Sequence, residues 1–252
     1  MTPPRQSYRW RGAWLPVEEA PVGDPLCADS WLHEAGRTNG LVLHRARYER
    51  TAGPLPEKFW AEMFDILDRP ERLFPRVSLN PLGSSTYHHL DVRPSPPARV
   101  TTVLSVGAGA DPRTLPTVKG PDLSRLADYR RTHTAEGADD AIVCSPDGSF
   151  AETTTGALVG WEDGALIVPR GVHLPSVTQA QVTRRARALG IDVRPGRLNP
   201  AVPLWFLNSL HGISPVSAVF DAAAGTAHTP PAHPDAAEWA AWWWAGFAAE
   251  AV

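Results

Sequence analysis

Lysine is almost missing from this chain. Of 24 basic residues among 252, only Lys58 and Lys119 are lysines and the other 22 are arginines. Cysteine is equally scarce, with Cys27 and Cys144 alone and far apart, which excludes a disulfide-stapled scaffold and predicts a reducing, cytoplasmic setting. Charge of one sign is lacking too: a net charge of -3 gives no footprint for nucleic acid or an anionic membrane. The opening run Met1-Thr2-Pro3-Pro4-Arg5-Gln6-Ser7-Tyr8-Arg9 has no apolar core, and no long apolar stretch follows, so neither export nor a spanning helix is expected. What is present, 43% hydrophobic and 20% charged residues, is globular composition long enough for one large core or two modest ones. Work on a small molecule is the class these absences leave.

Punctuation by proline and glycine divides the chain. Leu41-Val42-Leu43 reads as a strand leading into His44-Arg45-Ala46-Arg47, and a helix follows, opened by Pro54 and Pro56 and closed by Pro70. Phe59, Trp60, Met63, Phe64 and Leu67 recur along it at helical spacing. Segments 74–80, 87–93 and 99–107 read as strands, so residues 1–106 are predicted to form a small α+β domain. Residues 107–117, with Pro112 and Pro116, read as an interdomain linker, and 118–252 as a larger domain.

That larger domain opens with a helix behind Pro121, with Leu123, Leu126 and Ala127 inward and Gly137 as its cap. Two hairpins follow on the turns Pro146-Asp147-Gly148 and Glu162-Asp163-Gly164. A helix runs from about Thr178 to Leu189 with Gly190 behind it, and strands are expected at 203–208 and 214–220. At the C-terminus Trp239, Trp242, Trp243 and Phe247 share one helical face, predicted to pack on the body of the protein or on a partner subunit.

In a composition that replaces nearly every lysine by arginine, a lysine that remains is a candidate for chemistry a guanidinium cannot do. A lysine amine loses its proton when buried or set beside a cation, and then attacks a carbonyl. Lys58 fits an exposed survivor; Lys119 is the candidate. His88 and His89 are adjacent on a strand and point to opposite faces, so they do not share a metal, and no metal site is expected.

From Lys119 onward the chain resembles the class IV aminotransferases, the pyridoxal-phosphate enzymes of fold type IV, which include branched-chain and D-amino-acid aminotransferases and 4-amino-4-deoxychorismate lyase. The matching stretches are Thr117-Val118-Lys119, Gly137-Ala138-Asp139-Asp140-Ala141, Asp147-Gly148-Ser149-Phe150-Ala151-Glu152, Leu174-Pro175-Ser176-Val177-Thr178 and Asn208-Ser209-Leu210-His211-Gly212, with His44-Arg45-Ala46-Arg47 upstream. The resemblance implies a two-domain α/β (α+β) enzyme whose larger C-terminal domain is a mixed, barrel-like sheet. It implies pyridoxal 5'-phosphate as cofactor, Lys119 as its Schiff-base lysine and Glu152 against the pyridine nitrogen. Arg47, Ser209 and the helix start at Val177 and Thr178 would hold the phosphate. Arg93 matches a position that takes a substrate carboxylate, and Ser30 a catalytic threonine of the lyases. A homodimer acting on an amine or amino acid and a keto acid is implied, with the tryptophan-rich C-terminus as one candidate contact.

Taken as bare residues, Glu152 without Lys119 reads first as a solvated strand residue, Arg47 has the alternative of a solvated basic face with Arg45 and Arg50, and Ser209 is equally a partner for a strand-end carbonyl. Departures narrow the family reading. Ser124 stands where branched-chain relatives carry a tyrosine, Gln179 where an arginine often follows the threonine, and Ser176 replaces a common glycine. Three readings stay open: an aminotransferase-type reaction, pyruvate elimination from aminodeoxychorismate, and a scaffold that has given up its cofactor to bind a ligand.

Overall fold

The alternation of the first hundred residues builds one sheet. The computed structural model describes residues 5–249, so Met1–Pro4 of the opening run lie outside it. These described residues fall into two compact units, the first running to Pro97 and including Val118–Leu123 and the stretch from Trp243 onward, the second made of Ala98–Thr117 and Ser124–Trp242. The expected linker, 107–117, is counted within the second unit, together with the strand that precedes it.

In unit 1 the strands are β1 (Gln6–Trp10), β2 (Trp14–Val17) and β3 (Cys27–Ser30), followed by helices α1 (Leu41–Ala52) and α2 (Glu57–Leu67) and strands β4 (Arg76–Leu82) and β5 (Ser85–Val92). They form an antiparallel sheet in the order β2-β1-β5-β4-β3. Val77, Leu79 and Leu90 point to the helices and join a core of Trp31, Tyr48, Phe59, Trp60, Met63 and Leu67. Burial of Phe59, Met63 and Leu67 is worth roughly 1.5–3 kcal/mol each, far more than the helix propensity of the segment supplies.

The pleat sends the alternate residues Arg76, Ser78 and Asn80 of β4 to the opposite face. They meet Asp91, His89 and Tyr87 of β5 in register. His88 and His89 part as the pleat requires: the Tyr48 hydroxyl lies 2.8 Å from His88 Nδ1 on the core side, while His89 sits on the polar face.

The strand expected at Leu41–Leu43 is instead the first turn of α1. His44 and Tyr48 are the buried residues of that helix, while Val42 is 75% exposed, a pattern of helical period that a three-residue apolar run conceals.

Unit 2 begins with β6 (Thr102–Val106), and α3 (Leu123–His133) leads to β7 (Asp140–Cys144), β8 (Phe150–Thr153), β9 (Ala157–Glu162) and β10 (Ala165–Pro169). After α4 (Val177–Ala188) come β11 (Val193–Gly196), β12 (Leu204–Asn208), β13 (Gly212–Asp221) and β14 (Thr226–His228), and then α5 (Ala236–Ala249), which is counted with this unit as far as Trp242 and with the first from Trp243. The sheet runs β11-β10-β9-β12-β13-β6-β7-β8, and β8 pairs again with β9. That second pairing closes six strands into a barrel around Leu104, Ile142, Leu158, Phe206 and Val219. The Asp-Gly turns make hairpins: Asp163 at φ 51 and Gly164 at φ 76 give the β9–β10 connection the left-handed pair a two-residue turn needs.

Two expectations for α3 change. Tyr129 is its buried residue, packed on Ala141 and Val143, whereas Ala127 is exposed. The helix ends at His133, so Gly137 lies in a separate turn beyond it. On α5, Trp239, Trp243 and Phe247 are buried and Trp242 half-buried. Trp239 packs edge-on to Trp161, and the Trp243 carbonyl accepts a bond from Asn39 Nδ2 at 2.6 Å. Among the described residues no helix is long and apolar enough to cross a membrane, and no three His, Cys, Asp or Glu converge as metal ligands.

Candidate active site

Helical spacing brings His44 and Arg47 onto one face of α1, three residues apart, and both reach Asp29 on β3. Asp29 is wholly buried. Its Oδ1 accepts from His44 Nδ1 (2.8 Å), Arg47 Nη2 (2.7 Å) and the Ser30 N–H (2.7 Å), and its Oδ2 accepts from Arg47 Nε (2.7 Å). Burial alone would raise this carboxyl, but Arg47 and His44 overcome it and hold Asp29 well below the usual carboxylate range. Burial also lowers His44, with Asp29 opposing, and because an ionised carboxylate only accepts, the proton of the ring lies on Nδ1. Arg47 is therefore no solvated member of a basic run: two of its nitrogens are fixed on a buried carboxylate.

Lys119 belongs to the same unit. Its carbonyl accepts from the Ala28 N–H at 2.6 Å, which zips the lysine loop to β3 one residue from Asp29. Gly120 permits this approach. At φ +136 it occupies a region closed to other side chains, and a Cβ there would stand 2.7 Å from the Cys27 Cα. The Lys119 amine is half-buried and makes no hydrogen bond or ion pair among the described residues. Burial lowers its pKa from 10.5 to about 8, and Arg47, Arg76 and Arg93 push the same way against Asp29. Lys58 differs on every count: it is exposed, caps the Gly12 carbonyl at 2.9 Å and pairs with Glu62 at 3.4 Å.

Arg93 follows β5 and its Nε donates to the Phe74 carbonyl at 3.1 Å. It stands 3.5 Å from Asp91, and its Nη2 is buried with no partner among the described residues. Ser30, buried on β3, lies opposite Arg76 in register. Unit 1 therefore gathers Lys119, Arg47, Arg93 and Ser30 around one sheet.

Unit 2 carries a second cluster. Glu152 on β8 is 5% exposed, which removes the solvated-strand alternative. Its Oε1 accepts from Arg113 Nη1 at 2.5 Å and from the Leu174 N–H at 3.0 Å, while Oε2 has no partner among the described residues. Burial raises the Glu152 carboxyl and Arg113 opposes the rise. Arg113 is in turn clasped by Asp111, Nε to Oδ1 at 2.9 Å and Nη2 to Oδ2 at 2.7 Å.

The Leu174 tether leads directly into α4. Ser176 caps that helix by accepting from the Gln179 N–H at 3.3 Å. The N–H groups of Val177 and Thr178 have no partner among the described residues, and the buried Thr178 hydroxyl has none either. Ser209 is half-buried in the β12–β13 turn, where the Asn208 Oδ1 accepts from the Leu210 and His211 N–H groups.

Each cluster by itself suits one part of a phosphorylated pyridine aldehyde. In unit 2 the orphaned donors at the helix N-terminus suit a phosphate and the unengaged oxygen of the fixed Glu152 carboxylate suits a pyridinium N–H; in unit 1 a lysine near pKa 8 suits attack on an aldehyde.

The sequence reading missed Asp29, Asp111 and Arg113. Asp29 left a signal in the His-x-x-Arg spacing, which calls for a shared anion, whereas Asp111-Pro112-Arg113 carried only the look of a linker.

Residues 74–219, over half of the chain, match the family model described as amino-transferase class IV. Among solved structures, an aminotransferase from Brucella abortus bound to PLP is 18% identical, with 97% of this chain and 99% of that one covered and a TM-score of 0.77. A hypothetical aminotransferase from Mycobacterium tuberculosis in its PLP-bound form is 20% identical, with the same coverage and a TM-score of 0.74. The 4-amino-4-deoxychorismate lyase from Pseudomonas aeruginosa is 19% identical, with 90% of this chain and 95% of that one covered and a TM-score of 0.74. At such identities the likeness is one of fold. No curated protein matches the chain. With its matched segment embracing β4 to β13, and Lys119, Glu152 and the start of α4 inside it, the chain belongs to the class IV amino-transferases, a family of pyridoxal-phosphate enzymes.

Proposed function

We propose that this protein is a pyridoxal-phosphate enzyme that moves the amino group of an amino-acid-like substrate to a keto acid, with Lys119 as the residue that binds the cofactor covalently. The observation that carries the reading is the state of that amine: unpartnered, half-buried among guanidinium groups and lowered to about 8. At neutral pH about one such amine in ten is unprotonated, against fewer than one in a thousand for an ordinary lysine. The bound cofactor supplies an electron sink for the bond broken at the substrate's α-carbon.

The protein's own groups have separable tasks. Val177 and Thr178 offer two N–H groups and a hydroxyl to the phosphate, aided by the positive end of α4. Glu152, its Oε1 fixed by Arg113 and Leu174, keeps a proton on the pyridine nitrogen with Oε2. Once substrate is bound, the freed Lys119 amine takes the α-proton and returns it. Arg93 offers its unpartnered Nη2 to the substrate carboxylate, and Ser30 on β3 is assigned to the same substrate. Ser209 and Arg47 complete the phosphate contacts in this reading. Two free cysteines and the family's habit support a cytoplasmic homodimer.

The lyase reading, elimination of pyruvate from aminodeoxychorismate to leave 4-aminobenzoate, uses the same proton-transfer lysine and is favoured by the fold shared with the Pseudomonas lyase. The test is the visible spectrum of purified protein with added pyridoxal phosphate, before and after borohydride, beside Lys119→Ala. A band that reduction fixes on Lys119 supports the proposal, and a folded wild type without one sinks it. Amino transfer to 2-oxoglutarate or pyruvate against pyruvate release then separates the two chemistries.

A further inference from the structure

The carboxylate of Asp140 is wholly buried at the start of β7, and the turn between β8 and β9 closes around it. Its Oδ2 accepts from the Thr153 hydroxyl at 2.8 Å, from the Thr155 N–H at 3.0 Å and from the Thr155 hydroxyl. Its Oδ1 accepts from the Ala141 N–H at 2.8 Å and from the Thr154 hydroxyl. Arg130 Nε stands 3.6 Å away on a side chain that is 44% exposed. A carboxylate is expensive to bury unless hydrogen bonds satisfy its oxygens, and three consecutive threonines here serve that one anion.

A hairpin turn needs no such device. The β9–β10 turn folds on Asp163 and Gly164 at positive φ, by local geometry. The β8–β9 turn is shaped instead by a residue on another strand, and its shape is passed on. The Thr155 carbonyl accepts from Asn208 Nδ2 at 3.3 Å, where β12 ends. At its other end the Asn208 amide accepts, through Oδ1, from the Leu210 N–H at 3.1 Å and the His211 N–H at 2.8 Å. Two N–H donors on one atom and a carbonyl on the other fix which way the amide faces. Ser209 lies inside the ring that this side chain closes, so a continuous run of bonds leads from Asp140 through Thr155 and Asn208 to the turn that carries Ser209.

We propose that Asp140 is a positioning residue for the cofactor: through the Thr153–Thr155 turn and Asn208 it sets the β12–β13 turn so that the Ser209 hydroxyl meets the phosphate. The role of Ser209 rests on the function proposed above. An asparagine at position 140 keeps the volume but has one acceptor oxygen in place of two, and its amide nitrogen faces the Thr155 N–H or the Ala141 N–H donor to donor. The grip on the turn is lost while the packing around it is kept.

The test is a double-mutant cycle on wild type, Asp140→Asn, Ser209→Ala and the double variant. Affinity of the apo-protein for pyridoxal phosphate is read by tryptophan quenching, and circular dichroism shows that each protein is folded. Asp140→Asn is expected to weaken binding about tenfold in the wild type and by less than about twofold beside Ser209→Ala, because nothing is then left to position. A general loosening of the barrel would cost the same in both backgrounds. Equal losses overturn the proposal, as does unchanged affinity in folded Asp140→Asn. If that variant does not fold, Thr155→Val at an exposed position takes its place, with about a threefold loss expected in the wild type and none beside Ser209→Ala. Equal losses, or none in either background, again overturn it. A folded wild type that takes up no pyridoxal phosphate removes the functional reading and this inference with it; uptake with equal losses in the cycle removes this inference alone.

Discussion

Arg113 Nη1 lies 2.5 Å from Glu152 Oε1, with 4% and 6% of the two side chains exposed. Asp111 fixes the far side of the guanidinium, so the three residues carry one net negative charge, centred on the oxygen pair that Glu152 keeps oriented. Orientation of a buried carboxylate needs a partner that does not rotate, and a forked guanidinium held at both ends is such a partner.

Removal of Arg113 should therefore be costly. Arg113→Met strands Glu152 as a buried charge with one backbone bond left, and a loss of about 3 kcal/mol is expected. The double variant Arg113→Met, Glu152→Gln should recover most of it, since a neutral amide still accepts from Leu174. Urea unfolding of the parent and three variants gives the coupling, and a single variant as stable as the parent would remove the pairing from the argument.

Acid should act through Asp29. Its folded-state pKa is depressed, so the stability it contributes is complete above the unfolded value of about 3.9 and is lost as pH falls through the folded value. His44, lowered by burial, adds its own loss as pH falls below about 6.5. Asp29→Asn should be less stable at neutral pH by roughly 3 kcal/mol yet show a flatter acid limb below about pH 4. Unfolding curves collected across that range settle it, and parallel limbs in the two proteins would contradict the assignment.

The close packing of the lysine loop on β3 makes Gly120 its sensitive point. Gly120→Ala introduces a Cβ 2.7 Å from one backbone atom of Cys27 and 2.9 Å from the Ala28 nitrogen, at a φ that alanine avoids. The loop must lift, breaking the Lys119–Ala28 bond. A drop of several kcal/mol is expected from strain of this kind. Borohydride trapping of pyridoxal phosphate on Lys119 should fall with it. Trapping at the wild-type level in Gly120→Ala would show that the lysine does not depend on this contact.

How much of this was legible beforehand depended on period and on chemistry. Phe59, Trp60, Met63 and Leu67 declared α2 because their spacing repeats over three turns, and the Asp-Gly pairs declared both hairpins. Leu41-Val42-Leu43 did not declare α1, because three apolar residues in a row satisfy strand and helix alike and the buried His44 and Tyr48 that decide the matter are polar at one end. The scarcity of lysine singled out Lys119. Nothing local singled out Arg113, whose importance comes from Glu152, 39 residues further on, and strand pairing across a barrel is what sequence spacing does not encode.

The Thr178 hydroxyl separates a ligand-binding role from a structural one. It is buried at the first turn of α4 with no partner among the described residues, so it contributes no hydrogen bond to the fold. Thr178→Val keeps the branched shape and removes only the hydroxyl. If that group serves the phosphate, the variant should be as stable as the wild type or slightly more so, because an unsatisfied buried donor costs about 1–3 kcal/mol. Its affinity for pyridoxal phosphate should fall about tenfold, the loss expected for one hydrogen bond to a charged group at roughly 1.5 kcal/mol. Titration of the apo-protein by tryptophan quenching, with thermal unfolding beside it, reads both quantities. Unchanged affinity with unchanged stability would return Thr178 to an ordinary helix position, and lost stability would mean that the hydroxyl holds the fold together.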